Sequence, residues 1–142
     1  MKIQRTSSVH WQGGLKDGKG AISTASGALS DYPYGFASRF EGVAGSNPEE
    51  LLAAAHAACF TMALTLVLTE AGLPPEALDT KAVVTLEQGD GGFFIPAVNL
   101  TLRASVPGAD DVAFQAAAAT AKANCPLSKV LNAEITLDAA LV

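Results

Sequence analysis

The chain has 142 residues, a length that suits one domain, residues 1–142, with a single buried core. Its residues are 49% hydrophobic and 16% charged, more apolar than the interior of a soluble monomer requires, so we expect part of this apolar surplus at a subunit interface. A net charge of −5 and the lack of any lysine or arginine cluster argue against nucleic acids and membrane surfaces as partners.

The N-terminal segment alternates polar and apolar residues and predicts a strand within residues 2–12. It lacks the apolar stretch of a signal peptide, so we expect a cytoplasmic protein. Glycine and serine punctuate the segments that follow, at 20–24 and through a turn-rich passage at 31–40. This pattern is typical of antiparallel strands joined by tight turns.

A long helix is predicted next, beginning at Pro48. Asn47 is placed as its N-cap, and Glu50 is placed to close a capping box. Gly72 supplies a left-handed stop, so the helix should end at residue 70 or 71.

The apolar run within this helix, 51–68, approaches the length of a membrane span. However, it is rich in alanine, contains histidine and threonine, and opens on acidic rather than basic residues. We therefore expect a buried helix of a soluble protein.

Two strands are predicted downstream, at 80–86 and 93–106, joined in a hairpin by the glycine-rich turn 89–92. Asp110 or Asp111 caps a second helix that runs to Asn124, and residues 134–141 alternate like a closing strand. This order of elements predicts an α+β fold, with helices packed against antiparallel sheet.

Cys59 lies inside the long helix, in the apolar series Leu52, Ala55, Cys59, Met62 and Leu66. The spacing alone favours a small buried side chain, because apolar surroundings raise the pKa of a thiol and make it inert. A nucleophilic Cys59 needs a nearby cation that stabilises its thiolate.

Arg39 is the best candidate for that cation, because it closely precedes the helix and stays charged when partly buried. Its planar guanidinium can bind a carboxylate and still donate to a peroxide oxygen. Glu49, in the first helical turn, is the candidate carboxylate. A favourable interaction with the helix dipole is the alternative explanation for an acidic residue at that position.

Cys125 precedes Pro126, the expected first residue of a short helix, so it is placed at a helix N-cap. Unpaired backbone N–H groups at that position lower the pKa of a thiol. An ordinary loop cysteine explains the segment equally well, and pairing with Cys59 needs the two Cα atoms within about 7 Å of each other. From this segment alone the two interpretations of Cys125 stay open.

Zinc binding is the other chemistry that two cysteines suggest, because His10 and His56 complete a possible set of ligand types. The spacing argues against it, since no C-x-x-C or H-x-x-x-H pair occurs. We therefore predict no metal and no cofactor. The G-x-S-x-G elbow of hydrolases, phosphate loops and dinucleotide fingerprints are also absent from the sequence.

Two segments carry a family pattern. Residues 33–64 read PYGF-x-x-RFEG-x-x-G-x-NPEELL-x-AAHAACF-x-MAL, and residues 122–138 read K-A-x-CP-x-S-x-VL-x-AEITLD. Together with HW near the N-terminus and the STASG stretch, they resemble the osmotically inducible protein C (OsmC) family. This peroxidase family includes the organic hydroperoxide resistance (Ohr) proteins.

The resemblance implies an intertwined homodimer, in which antiparallel sheets are wrapped around long central helices and each active site lies at the subunit interface. It implies Cys59 as the peroxidatic cysteine and Cys125 as the resolving cysteine. Arg39 becomes the cation that stabilises the thiolate, and Glu49 the acid that orients it. In the Ohr branch the arginine comes from the N-terminal segment, so the position of Arg39 favours the OsmC branch.

The reaction implied by the resemblance begins with attack of the Cys59 thiolate on an organic hydroperoxide, preferred over hydrogen peroxide. The resulting sulfenic acid condenses with Cys125 to an intramolecular disulfide, which an external dithiol reduces. Five side chains are candidates for an apolar mouth, with core filling as the alternative role: Phe36, Phe40, Phe60, Phe93 and Phe94. The competing function is a non-enzymatic dimeric stress- or ligand-binding module with inert cysteines.

Overall fold

The computed structural model describes all residues, Met1–Val142, and they fall into two compact units, Met1–Leu51 and Leu52–Val142. That residues 1–142 form one domain stays a prediction. In chain order the elements are β1 (Ser7–Gln12), β2 (Lys19–Thr24), β3 (Tyr32–Tyr34), α1 (Phe36–Phe40), α2 (Pro48–Glu70), β4 (Ala77–Gly89), β5 (Gly92–Ser105), α3 (Asp111–Asn124), α4 (Pro126–Val130) and β6 (Glu134–Leu141).

The first unit contains an antiparallel sheet in the order β1-β2-β3, as the turn-punctuated sequence predicts. Gly20 on β2 lies opposite Tyr34 on β3, and a Cβ atom at Gly20 would overlap the Tyr34 ring. The ring of Trp11 lies 5.5 Å from that of Tyr34. The prediction of strands and turns alone for 31–40 was wrong, because α1 follows β3 there.

Both predicted ends of α2 are confirmed. The Asn47 side-chain oxygen accepts the backbone N–H of Glu50 at 2.8 Å, and Pro48 is the first helical residue. At the other end Gly72 has φ +75°, its N–H bonds the carbonyl of Thr69, and the N–H of Leu73 bonds the carbonyl of Leu68. These two bonds form a Schellman motif, which satisfies carbonyls that the helix end leaves free.

The face of α2 that the sequence predicted to be buried is not the face that the chain buries. His56, Phe60, Leu64 and Leu68, spaced by four residues, are fully buried. In the predicted series, by contrast, Met62 is 77% exposed. The helix is apolar on every side, so its sequence period does not select one face. Within one chain α2 is therefore a half-covered helix rather than a buried one.

By length and a mean hydropathy of 2.0, α2 also meets the requirements of a membrane span. Two of its hydroxyl groups, those of Thr61 and Thr65, form hydrogen bonds within the second unit. Thr61 donates to the carbonyl of Ala57 at 2.8 Å and lies 2.6 Å from the Thr80 hydroxyl of β4, while Thr65 donates to the carbonyl of Thr61.

The second unit contains the sheet β4-β5-β6. β4 and β5 form the predicted antiparallel hairpin through a tight turn, with Gly89 paired to Gly92. The prediction of a purely antiparallel sheet was wrong for the last strand, because β6 pairs with β5 in parallel from Ala97/Glu134 to Ala104/Leu141. The physical reason is the connection: α3 and α4 carry the chain back across the sheet before β6 begins, and such a crossover returns a strand in parallel.

The core of the second unit lies between the buried stripe of α2, the inner face of β5 and α3. Its fully buried members include Phe60, Leu64, Leu102 and Phe114, each of which contributes about 1.5–3 kcal/mol by removal from water. Asp110 caps α3, as predicted, by accepting the N–H of Ala113 at 2.7 Å. The position of α3 matters for function because its last residue precedes Cys125.

Candidate active site

Arg39 and Glu49 form the ion pair that the sequence predicted. Arg39 Nη2 lies 2.6 Å from Glu49 Oε1 and its Nε lies 3.2 Å from Oε2, so the guanidinium holds the carboxylate with two parallel hydrogen bonds. The side chains are 33% and 14% exposed. The Arg39 guanidinium also lies 5.2 Å from the centre of the Phe40 ring. The pair is therefore held in a defined geometry, with donor positions of the guanidinium left over.

The short helix α1 that carries Arg39 is fixed by Ser38. The Ser38 hydroxyl donates to the carbonyl of Ser46 at 2.8 Å, just before α2, and accepts the N–H of Gly35 at 2.9 Å. Ser46 in turn donates its N–H to the carbonyl of Pro33 at 2.9 Å. These bonds tie α1 to the start of α2 and so set Arg39 beside Glu49.

A cavity of about 250 Å³ lies next to Arg39. Its lining is mostly aromatic and includes Trp11, Tyr34, Phe36 and Phe40. The rings of Phe36 and Phe40 lie 4.9 Å apart. Of the five phenylalanines proposed for an apolar mouth, these two therefore line a cavity beside the candidate cation.

The other three phenylalanines lie elsewhere. Phe60 is fully buried in the core of the second unit. Phe93 and Phe94 are about half exposed on β5 next to its hairpin turn. Core filling, the alternative role, is thus what the structure shows for Phe60.

Cys59 and Cys125 are brought together, with their sulfurs 3.1 Å apart and both thiols free. Cys59 comes from the middle of α2, where it borders the buried stripe and is partly exposed. Cys125 is fully buried at the N-cap of α4, the position that the sequence predicted for it. The sulfur separation is about 1 Å longer than a disulfide bond.

The raised pKa of Cys59 is opposite to what a nucleophile requires, whereas the lowered pKa of Cys125 agrees with its predicted position at a helix N-cap. Burial, the hydrogen bond with Cys125 and the charge of a Cys125 thiolate all raise the pKa of Cys59, against a smaller lowering by the backbone of Leu127. Burial also raises the pKa of Cys125, but donors from Cys59, Ser128 and Leu127 outweigh it and hold that pKa below its ordinary value.

The hydrogen bond between the two thiols explains this order. In the neutral pair the Cys125 thiol donates to Cys59. Once Cys125 has lost its proton, the Cys59 thiol becomes the donor to it, which stabilises the Cys125 thiolate and keeps the proton on Cys59. Within one chain the pKa of Cys59 is therefore raised and that of Cys125 is lowered, so stabilisation of a Cys59 thiolate requires a further cation.

His56 and Ser128 form a contact that the sequence did not predict. His56 Nε2 lies 2.9 Å from Ser128 Oγ, and the His56 ring is fully buried. Burial lowers the pKa of His56 and so favours its neutral form. The one available signal was spacing: His56 precedes Cys59 by three residues, and Ser128 follows Cys125 by three.

Nowhere does the chain gather three or more histidine, cysteine or acidic side chains in a group able to hold a metal ion. Of the four zinc-ligand candidates, His56 uses Nε2 on Ser128, and His10 lies on β1 opposite Ala21. The cysteines face each other, so the geometry of this site is that of a thiol pair.

Comparison with known proteins gives the family. The sequence model described as OsmC-like protein matches residues 41–140. The chain belongs to the OsmC family. Both cysteines of the thiol pair and Glu49 fall within this match, whereas Arg39 lies just before it.

Relatives inside the OsmC family match almost the whole chain. Peroxiredoxin OsmC of Escherichia coli (strain K12) is 53% identical over 138 residues, which cover 97% of this chain and 96% of the relative. An organic hydroperoxide resistance protein of Xanthomonas axonopodis pv. citri (strain 306) is 36% identical over 99 residues, 68% of each chain.

Solved structures of the OsmC family share the fold. The crystal structure of the organic hydroperoxide resistance protein OhrB of Bacillus subtilis superimposes with a TM-score of 0.74 at 31% identity, and covers 95% of this chain and 98% of that one. An OsmC-like protein of Mycoplasma pneumoniae gives a TM-score of 0.77 at 15% identity. The predicted OsmC-like α+β fold is therefore confirmed.

Proposed function

We propose that this protein reduces organic hydroperoxides, with Cys59 as the attacking thiolate and Cys125 as the resolving thiol. The chain is a peroxidase of the OsmC family; its substrate class and the roles of its residues are the proposal. The observation that supports it most directly is the pair of free sulfurs, which lie 3.1 Å apart where the start of α4 meets α2. The names of the relatives, peroxiredoxin and organic hydroperoxide resistance protein, agree with this chemistry.

The difference in exposure between the two cysteines supports these roles. Cys59 is partly exposed, whereas Cys125 is fully buried behind it. A peroxide that arrives from solvent therefore meets Cys59 first, and Cys125 is placed to attack the oxidised Cys59 sulfur. A role for Cys125 as first nucleophile would need the peroxide to pass Cys59.

The raised pKa of Cys59 makes a cation necessary, and we assign that part to Arg39 with Glu49 behind it. Glu49 and Cys59 lie ten residues apart on α2, nearly three helical turns. We propose that the two pairs meet in a homodimer, with the ion pair of one subunit serving the thiols of its partner. The apolar face of α2 that one chain leaves exposed, including Met62 and Leu66, is the proposed contact between subunits.

The proposed reaction has three steps: peroxide reduction, disulfide formation and reduction of the disulfide. The Cys59 thiolate attacks the peroxide oxygen that is not bonded to carbon, the O–O bond breaks, and the departing alkoxide takes a proton to leave as alcohol. Arg39 donates to the peroxide as negative charge develops on the leaving oxygen. The Cys125 thiolate attacks the sulfur of the Cys59 sulfenic acid, the S–O bond breaks as the disulfide forms, and the departing hydroxide takes a proton to leave as water. An external dithiol reduces that disulfide by thiol exchange.

A second candidate function has one observation in its favour. The raised pKa of Cys59 is also what an inert structural cysteine would show, as expected for a non-enzymatic dimeric binding module. Titration of the thiols in the intact dimer separates the two functions. A Cys59 pKa at or above that of a free thiol favours the module.

Mass spectrometry after addition of one equivalent of tert-butyl hydroperoxide tests the proposed function. The reduced protein should lose two hydrogens, and its peptides should contain a Cys59–Cys125 disulfide. Incubation without peroxide is the control. Recovery of both thiols in reduced form after exposure to peroxide would refute the proposal.

A further inference from the structure

A second polar contact joins the two helices that carry the cysteines. His56 lies three residues before Cys59 on α2, and Ser128 lies three residues after Cys125 on α4. The buried ring of His56 meets the partly exposed side chain of Ser128 at 2.9 Å, next to the 3.1 Å contact of the sulfurs. Residues three apart share one face of a helix, so the two contacts lie side by side on the same pair of helix faces.

The buried surroundings of His56 determine the direction of its hydrogen bond. The Nδ1 atom is buried without a partner. If Nε2 accepted from Ser128, the ring proton would sit on Nδ1 as an orphaned buried donor, which costs about 1–3 kcal/mol. If Nε2 carries the proton and donates to Ser128 Oγ, Nδ1 keeps only an unused lone pair. The neutral ring favoured by burial allows this second tautomer.

When His56 is the donor, the Ser128 hydroxyl accepts from it, and the Ser128 O–H can donate a hydrogen bond to another acceptor. Ser128 follows Cys125 in the first turn of α4, and its hydroxyl and backbone N–H both contribute to the lowered pKa of Cys125. The His56 ring donates to the Ser128 hydroxyl, and Ser128 lies in the helical turn that Cys125 caps.

We infer that His56 and Ser128 are positioning residues for the resolving step: together they hold Cys125 against Cys59 and stabilise its thiolate for attack on the oxidised Cys59 sulfur. The expected effect on the rate of disulfide formation rests on the proposed function. The expected effect on ionisation of the Cys125 thiol does not depend on it. Neither side chain takes up the proton that leaves Cys125. They orient the buried sulfur and solvate its negative charge, since water cannot do so there.

The first experiment measures the Cys125 thiol without any peroxide. In the Cys59→Ser variant Cys125 is the only cysteine left, so its ionisation is followed by the ultraviolet absorbance of the thiolate. Adding Ser128→Ala should reduce the thiolate fraction near neutral pH about tenfold, the effect of one lost hydrogen bond to a charged group. Ser128→Thr, which keeps a hydroxyl, should restore it. A titration curve unchanged by Ser128→Ala would overturn the inference whether or not the protein is a peroxidase.

The second experiment separates the two chemical steps in the otherwise intact protein. After one equivalent of tert-butyl hydroperoxide, sulfenic acid is trapped with dimedone and the disulfide is quantified by mass. Ser128→Ala and His56→Leu should form sulfenic acid at the original rate but disulfide about tenfold more slowly. Ser128→Thr should recover the rate, and so should His56→Gln, which places an amide N–H near the former Nε2.

The outcomes distinguish this inference from the proposed function. Disulfide formation at the original rate in a folded Ser128→Ala variant would overturn the role of the two positioning residues. Loss of both steps in that variant would also overturn it, since a general structural role would then explain the data. Absence of sulfenic acid in the unmodified protein would instead refute the proposed function, and the thiolate titration would still decide the inference.

Discussion

The sulfur of Cys59 lies 3.1 Å from the sulfur of Cys125, although 66 residues separate them in the chain. The contact joins the middle of α2 to Cys125, the single residue between α3 and α4, so helices flank this cysteine on both sides. A disulfide needs the sulfurs to approach by about 1 Å more. The resolving step should therefore need little backbone movement.

Replacement of Cys125 by serine should separate attack from resolution. We expect Cys125→Ser to consume one equivalent of hydroperoxide per site and then stop, because the Cys59 sulfenic acid has no thiol to condense with. Dimedone trapping followed by mass spectrometry detects that product. Cys59→Ser is the matched control and should consume none. Repeated turnover by Cys125→Ser with an excess of dithiol would show that resolution does not need this residue.

Arg39→Ala should slow the first chemical step about a hundredfold, the usual cost of losing one donor to a developing negative charge. Single-turnover consumption of tert-butyl hydroperoxide measures it. Arg39→Lys should recover only part of the rate, because an ammonium group cannot bind Glu49 with two parallel bonds.

Arg103→Ala is a matched control for Arg39→Ala, since Arg103 also pairs with a carboxylate, that of Asp138 at 3.0 Å, on the sheet of the second unit. The rate of peroxide consumption by Arg103→Ala should stay within about twofold of the original, because loss of a surface ion pair has little effect on stability. Equal loss of rate in both variants would point to net charge rather than to Arg39.

Met62→Asp should weaken the homodimer, because it places a charge on the apolar face of α2 that we assign to the subunit interface. Sedimentation velocity measures the shift towards monomer with dilution. Val112→Asp is the matched control: Val112 is 80% exposed at the start of α3, where an acidic residue suits the helix dipole. A dimer that withstands Met62→Asp and dissociates with Val112→Asp would place the interface elsewhere.

The burial of His56 predicts a loss of stability in acid. Its pKa is lowered in the folded state, so below the ordinary value of 6.5 the unfolded chain binds a proton that the folded protein does not. The contribution of His56 is therefore fully present above that pH and falls as the pH decreases towards the folded-state pKa, with a slope of at most about 1.4 kcal/mol per pH unit.

Urea unfolding across pH 5–7 measures this slope. His56→Gln should remove that part of the pH dependence, whereas His10→Gln, at an exposed position on β1, should leave it unchanged. An identical slope in His56→Gln and the unmodified protein would show that other groups cause the acid destabilisation.

Local signals in the sequence predicted most of the fold. The cap at Asn47, the stop at Gly72 and the cap at Asp110 each depend on one or two neighbouring residues, and all three are confirmed. The direction of β6 could not be predicted in this way, because it depends on how α3 and α4 cross the sheet. The prediction of the buried face of α2 was wrong for a related reason. A helix that is apolar on all sides does not show from its sequence which face it buries.

The candidate site likewise has one part that the sequence predicted and one part that it did not. Residue type and the nearness of Arg39 to the helix predicted its pairing with Glu49, and the structure contains that pair. The contact of His56 with Ser128 joins residues 72 positions apart, and neither residue type suggests the other. Their equal spacing from the two cysteines is the one signal in the sequence, and the packing of α4 on α2 establishes the contact.

The parallel pairing of β6 has a consequence for the order in which the protein matures. Cys125 lies inside the crossover that connects β5 to β6, and that crossover closes a long loop of chain. Contacts of such long range form slowly compared with a hairpin or a single helix. We expect Cys59 to be present on a formed α2 before its partner sulfur arrives, so a newly made chain should pass through a period in which oxidant can drive Cys59 beyond the sulfenic acid. Pulse oxidation during refolding would show that period as a transient yield of sulfinic acid.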